Sequence, residues 1–135
     1  MDSAALRIHI YNTLVASGRP PHLNREERQQ VAAMKIGKTL IPHPQTGQVW
    51  MAGPFAAEPT QYKVTGTATW YANCAWDMLG IPLITQERVR IETQCAHCAE
   101  PMVLDASPDT PPASSNAIVH FLVPARKWYD DIGFT

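Results

Sequence analysis

The residues best equipped to do chemistry are Cys74 and Asp77, three positions apart in the run Asn73-Cys74-Ala75-Trp76-Asp77-Met78-Leu79-Gly80-Ile81-Pro82. That run reads as a short helix, with Asn73 near its cap, Gly80 after its end and Pro82 enforcing the stop. A thiol in the first turn faces unpaired backbone N–H groups and the positive end of the helix dipole, and both favour thiolate over thiol. A residue three positions on shares its helix face, so the Asp77 carboxylate can move a proton to or from whatever the sulfur holds. The pair joins a nucleophile or soft-metal ligand to a proton carrier. The plainer reading is a small buried hydrophobe beside a surface carboxylate, and spacing alone leaves both open.

Cys95-Ala96-His97-Cys98 is a second candidate, since two cysteines separated by two residues can grip a metal with one knuckle. It is half of a closed zinc site, whose other ligands would have to come from Cys74, His97, His43 or His120, so a zinc site is not expected. The alternative is a tight turn between two strands. Gly37-Lys38-Thr39 fails as a phosphate loop, because the earlier glycine would fall on Ala32 and the segment follows a helix. His120, inside Ile118-Val119-His120-Phe121-Leu122, reads as a hydrogen-bonded structural histidine, with general base to Cys74 as the sharper option. Trp50, Phe55, Trp70, Tyr71 and Trp76 crowd the elements around Cys74 and either wall an apolar pocket or fill the core.

The elements that must hold these residues are short. Leu6, Ile10 and Leu14 recur every fourth residue between Asp2 or Ser3 and Gly18, which predicts a helix over 3–17 with one buried stripe. Asn24 and Glu27 form a capping-box pattern that opens a second helix, Arg25 to about Met34. From Lys38 the pattern turns to strands. Thr39 to Ile41 and Gln48 to Met51 flank a Pro- and Gly-containing turn, and Tyr62 to Thr65 and Thr67 to Tyr71 pair around Gly66. Arg88 to Thr93 and Met102 to Leu104 flank the Cys95 to Glu100 turn. A loop over Asp105 to Ser115, an apolar strand over Ala117 to Val123 and an amphipathic segment over Ala125 to Thr135 close the chain. The result is one domain with a helical N-terminal region, 1–37, and a core over 38–135.

Composition limits the function classes. The 135 residues are 45% hydrophobic, and 11 basic against 12 acidic side chains give a net charge of −1, which argues against nucleic acid as a partner. No apolar run approaches the roughly 18 residues of a membrane span, and the start MDSAALRIHI lacks a signal-peptide pattern, so a cytoplasmic protein with no membrane partner is expected. Three cysteines are too few and too odd in number for a disulfide scaffold. The 12 prolines break the chain into short elements.

The segments Trp50-Met51-Ala52-Gly53-Pro54-Phe55-Ala56-Ala57-Glu58-Pro59-Thr60 and Trp70-Tyr71-Ala72-Asn73-Cys74-Ala75-Trp76-Asp77-Met78-Leu79-Gly80-Ile81-Pro82 resemble the alkylmercury (organomercurial) lyases. The likeness runs from about residue 40, and the Tyr71-x-x-Cys74-x-x-Asp77 pattern is its most specific part. It implies an α+β fold: a degenerate winged-helix-like N-terminal part, shortened here to Asn24 to Ile41, before small, mainly antiparallel β-sheets with short helices. It also implies cleavage of a carbon–mercury bond, with Cys74 as catalytic thiolate and mercury ligand and Asp77 as proton relay. Thiolates suit mercury as they suit other soft metals. Cys95 resembles a family cysteine regarded as structural, and Cys95 and Cys98 are further candidate ligands. The implied substrate is a small organomercurial. Hg(II) is the bound product, no resident cofactor is required, and mercuric reductase or small thiols are the implied acceptors.

The sequence departs from the family pattern in one respect. The family carries a second active-site cysteine shortly after a pattern like Ile132-Gly133-Phe134, and this sequence ends at Thr135. The reading is a truncated chain whose missing strand leaves a sheet edge exposed to self-association. Otherwise Cys74 works with Cys95, Cys98 or an external thiol. Two other functions compete: a non-mercurial enzyme with Cys74 as nucleophile and Asp77 and His120 assisting, and a noncatalytic soft-metal-binding domain using Cys74, Cys95 and Cys98.

Overall fold

The computed structural model describes residues 1–34, 39–110, 118–119 and 125–127. Helix α1 (Ser3–Ser17) starts where the Asp2 side chain accepts from the Ala5 N–H and stops at Gly18, whose φ of 78° lets its N–H reach the Leu14 carbonyl. The expected stripe of Leu6, Ile10 and Leu14 is buried. Helix α2 (Arg25–Ala33) carries the expected capping box, Asn24 and Glu27 each accepting the other's backbone N–H.

Among the described residues seven strands make two antiparallel sheets. In the first, β1 (Leu40–Pro42), β2 (Val49–Ala52) and β3 (Phe55–Ala56) lie in that order, with Pro42 at a bulge on the edge strand, where its missing N–H does no harm. In the second the order is β5 (Thr69–Tyr71), β4 (Lys63–Thr65), β6 (Val89–Gln94), β7 (Pro101–Ala106). Both expected hairpins are present, and so is the β6–β7 pair around the Cys95 turn. The two-residue β3 went unread, because Gly53 and Pro54 in front of it signal a loop. A bridge from Phe55 to Ala72 ties the sheets together just ahead of Cys74.

One apolar cluster joins the helices to the sheets: Leu6, Ile10, Leu14, Leu23 and Val31 meet Val49, Phe55, Val64, Trp70, Ile81 and Ile91. Trp70 anchors it, its buried indole N–H donating to Leu14 O at 2.9 Å and Val15 O at 3.2 Å. A Cβ on Gly18 would run into the Thr69 carbonyl oxygen, so α1 passes as close to β5 as backbone allows.

Helix α3 (Ala75–Thr85) corrects the sequence reading at both ends. Its cap residue is Cys74, not Asn73, and it runs through Gly80 and Pro82 to Gln86, which takes the left-handed φ of 55°. An interior proline costs about 3 kcal/mol. Pro82 is fully buried with Met78 and Ile81 on the face packed toward β4, and that burial holds the helix together across the missing hydrogen bond. The segment Asp105 to Ser115, read as loop, begins inside β7 and is otherwise described only as far as Thr110. Of the strand expected over Ala117 to Val123 only Ile118 and Val119 are described, both outside regular structure, and of the final segment only a 3-10 turn at Ala125–Lys127. His120, Gly37 and Lys38 lie outside the described residues.

A candidate thiol–carboxylate site at the start of α3

Three connections fix the chain entering α3. The Thr60 hydroxyl donates to Ala72 O at 2.6 Å, the Asn73 N–H donates to Pro54 O at 3.2 Å, and the Asn73 amide donates to Gly53 O at 3.1 Å and Phe55 O at 3.2 Å. Asn73 thus belongs to the β2–β3 turn rather than to a helix cap, and it clamps the backbone one residue before the thiol. No signal in the sequence paired it with Gly53 and Phe55, because the partners are backbone carbonyls. Cys74 follows in extended conformation, φ −153°, and its carbonyl accepts the Met78 N–H to start the helix.

The Cys74 thiol and the Asp77 carboxylate meet on one face of that first turn, both half-buried. Burial is the main influence on each. It pushes the Cys74 thiol above the ordinary thiol range; the Asp77 and Trp76 N–H groups pull the other way, and the Asp77 negative charge pushes up again. The thiolate preference expected from the helix end is therefore present but outweighed. Asp77 is likewise raised by burial, with the Cys74 thiol and the Asn73 amide restraining the rise. Asp77 makes Cys74 hold its proton more readily, while the Cys74 thiol favours the ionised Asp77 carboxylate, so a proton shared between them is placed on sulfur.

The remaining candidates fall elsewhere. His43 sits in the β1–β2 turn, its Nδ1 accepting from the Gln45 N–H at 3.1 Å and its ring edge-on to Trp50 at 5.7 Å, which accounts for it structurally. Phe55 and Trp70 are core, while Trp76, beside Cys74, is 61% exposed. A cleft of about 810 Å³ lies between the end of α1 and the β4–β5 hairpin, lined by Arg19, Glu58, Lys63 and Tyr71 among others; neither Cys74 nor Asp77 lines it. Cys95 and Cys98 lie in the β6–β7 turn, and all three cysteines are free. Among the described residues no group of three or more His, Cys, Asp or Glu is gathered to hold a metal ion, and no helix is long and apolar enough to cross a membrane.

The described residues make an α+β fold of two small antiparallel sheets, with a cysteine–aspartate pair opening the helix that follows β5. The family model for alkylmercury lyase matches residues 55–134, more than half of the chain, and the chain belongs to that family. Among solved structures it is similar to the mercury-bound form of MerB2, with a TM-score of 0.58 and 18% identity over 78% of this chain. At that identity the likeness speaks to the fold. The chain spans 55% of that structure's length. No curated protein matches it.

Proposed function

We propose that this chain cleaves carbon–mercury bonds through Cys74 and Asp77. The observation that carries the proposal is the contact between a half-buried thiol and a half-buried carboxyl, each raised, on one helical turn. In the resting pair the thiol is protonated and the carboxylate ionised. An organomercurial cation, R–Hg⁺, forms a bond to the Cys74 sulfur, and the displaced thiol proton passes to Asp77. The proton then moves from Asp77 to the carbon, the electron pair of the C–Hg bond becomes the new C–H bond, and Hg(II) stays on sulfur. The balance is R–Hg⁺ plus H⁺ giving R–H plus Hg²⁺, with both side chains returned once mercury leaves and Cys74 is reprotonated.

A raised Asp77 suits this sequence, since a carboxyl that takes up the thiol proton readily also waits to deliver it. Exposed Trp76 offers an apolar surface next to the sulfur for the organic group. A small external thiol completes the coordination of mercury and carries it away, directly or to a mercuric reductase. The reduced cytoplasm is the fitting compartment. The competing nucleophilic-cysteine reading is disfavoured by the same pair, because a carboxylate that raises the thiol pKa deactivates a nucleophile.

The test is headspace detection of methane from methylmercury, or benzene from phenylmercury, with excess small thiol, comparing this chain with Cys74→Ser and Asp77→Asn. Release that depends on both residues is expected. Release that survives Cys74→Ser refutes the proposal.

A further inference from the structure

The β6–β7 turn holds a second pair of thiols that the lyase reading does not use. Strand β6 ends at Gln94 paired with Pro101, and the chain reverses through Cys95, Ala96, His97, Cys98, Ala99 and Glu100. The Cys95 N–H donates to Glu100 O at 2.9 Å, the Ala99 N–H donates to Cys95 O at 2.8 Å, and Ala99 takes a left-handed φ of 60°. This folding turns the N–H groups of His97 and Cys98 onto the Cys95 sulfur and lays the Cys98 thiol against it. A plain β-turn has no need to aim two backbone donors at a side-chain sulfur. A knuckle that binds metal does, because those donors offset the charge of a coordinated thiolate. The turn itself offers two sulfurs, the ligand set that suits a two-coordinate soft cation.

We infer that Cys95 and Cys98 form a second metal site, a solvent-facing dithiolate on the β6–β7 turn that chelates a two-coordinate thiophilic cation such as Hg(II). Binding forms two S–Hg bonds and releases two thiol protons to solvent. The sheet register gives the site its context. Lys63 pairs with Tyr71 on one side and Glu92 on the other, so β5 and β6 run parallel on either side of β4, about 10 Å apart. Cys74 comes three residues after Tyr71 and Cys95 three after Glu92, so both leave the same end of the sheet. The gap between them there is spanned by Thr60 bonded to Ala72 and Gln61 bonded to Gln94. The turn is thus an outlet at the same end of the sheet as the half-buried Cys74 thiol, and only this acceptor role rests on the lyase reading.

The chelate itself is tested without any organomercurial. The reduced full chain, as Cys74→Ser, is loaded with one equivalent of mercuric chloride and challenged with about 0.1 mM 2-mercaptoethanol. The second thiolate of a short loop acts at an effective concentration on the order of 1 mM, so this variant is expected to keep roughly tenfold more mercury than Cys74→Ser/Cys95→Ser or Cys74→Ser/Cys98→Ser. Native mass spectrometry gives the stoichiometry, near-ultraviolet thiolate–mercury absorption the ligation, and far-ultraviolet circular dichroism confirms that all three fold. One mercury per single chain, lost when either turn cysteine is removed, supports the site. Equal loss from all three proteins, or mercury held only between two chains, overturns it. Since no arm measures hydrocarbon release, the result stands or falls independently of the lyase reaction.

Discussion

Replacing Asn73 with alanine separates the clamp from the chemistry it serves. The Asn73 amide makes hydrogen bonds of 3.1 and 3.2 Å to the Gly53 and Phe55 carbonyls, and its removal leaves both acceptors half-enclosed between β3 and α3. Each bond contributes about 1 kcal/mol net, so the expected loss is about 2 kcal/mol, with Asn73 N–H to Pro54 O retained. For a chain of this length that lowers Tm by roughly 6–10 °C. The same amide restrains the rise of Asp77, so the carboxyl pKa should move further up in the variant. Urea unfolding at neutral pH reads the first effect, and carboxyl carbon shifts of Asp77 across a pH titration read the second. A change under about 0.5 kcal/mol together with an unmoved Asp77 titration would show that Asn73 neither clamps the turn nor touches the carboxyl.

Asp77→Asn removes the negative charge that pushes Cys74 up, so alkylation of Cys74 by iodoacetamide at neutral pH should be faster than in the unmodified chain. Asp77 also has a folded-state pKa above its unfolded one. Its contribution to stability is therefore full below the unfolded value and lost as pH rises through the folded value. Asp77→Asn should consequently gain stability over wild type at neutral pH and lose that advantage in acid, as read by denaturation at both pH values. Gly18→Ala meets both a positive φ and the Thr69 carbonyl, and should cost at least about 2 kcal/mol in urea unfolding. At Gly80 an added Cβ meets nothing within 4 Å inside a helix, so Gly80→Ala should stabilise by about 0.5–1 kcal/mol.

The legible parts of this sequence are those governed by local rules. The Asp2 and Asn24 caps, the Leu6–Ile10–Leu14 stripe and the strands on either side of Gly66 and of the Cys95 turn follow from periodicity and turn chemistry alone. The end of α3 did not, because Gly80 and Pro82 are valid stop signals that a tertiary contact overrides: the Pro82 ring is fully buried beside Ile81, which offsets the cost of its missing N–H. Strand β3 and the clamp of Asn73 were hidden for a different reason. Both depend on Phe55 finding Ala72 across the gap between two sheets, and such pairing leaves no local pattern.

The protonation of Cys74 shows what a three-residue spacing leaves out. Position at a helix start predicts a thiolate, and the N–H groups that would make one are indeed in place. Burial and Asp77 reverse the outcome, and neither magnitude is contained in a three-residue spacing. For a nucleophile this reversal would be a defect. In the proposed reaction it is the useful state, because the proton delivered to carbon would be stored in the site before the substrate binds. The turn at Cys95 shows the opposite balance: faced by the Cys98 and His97 N–H groups, that thiol lies below the ordinary range. One chain thus presents two cysteine environments at the same end of one sheet. Burial and Asp77 hold the proton on one, and the N–H groups of the turn loosen it on the other.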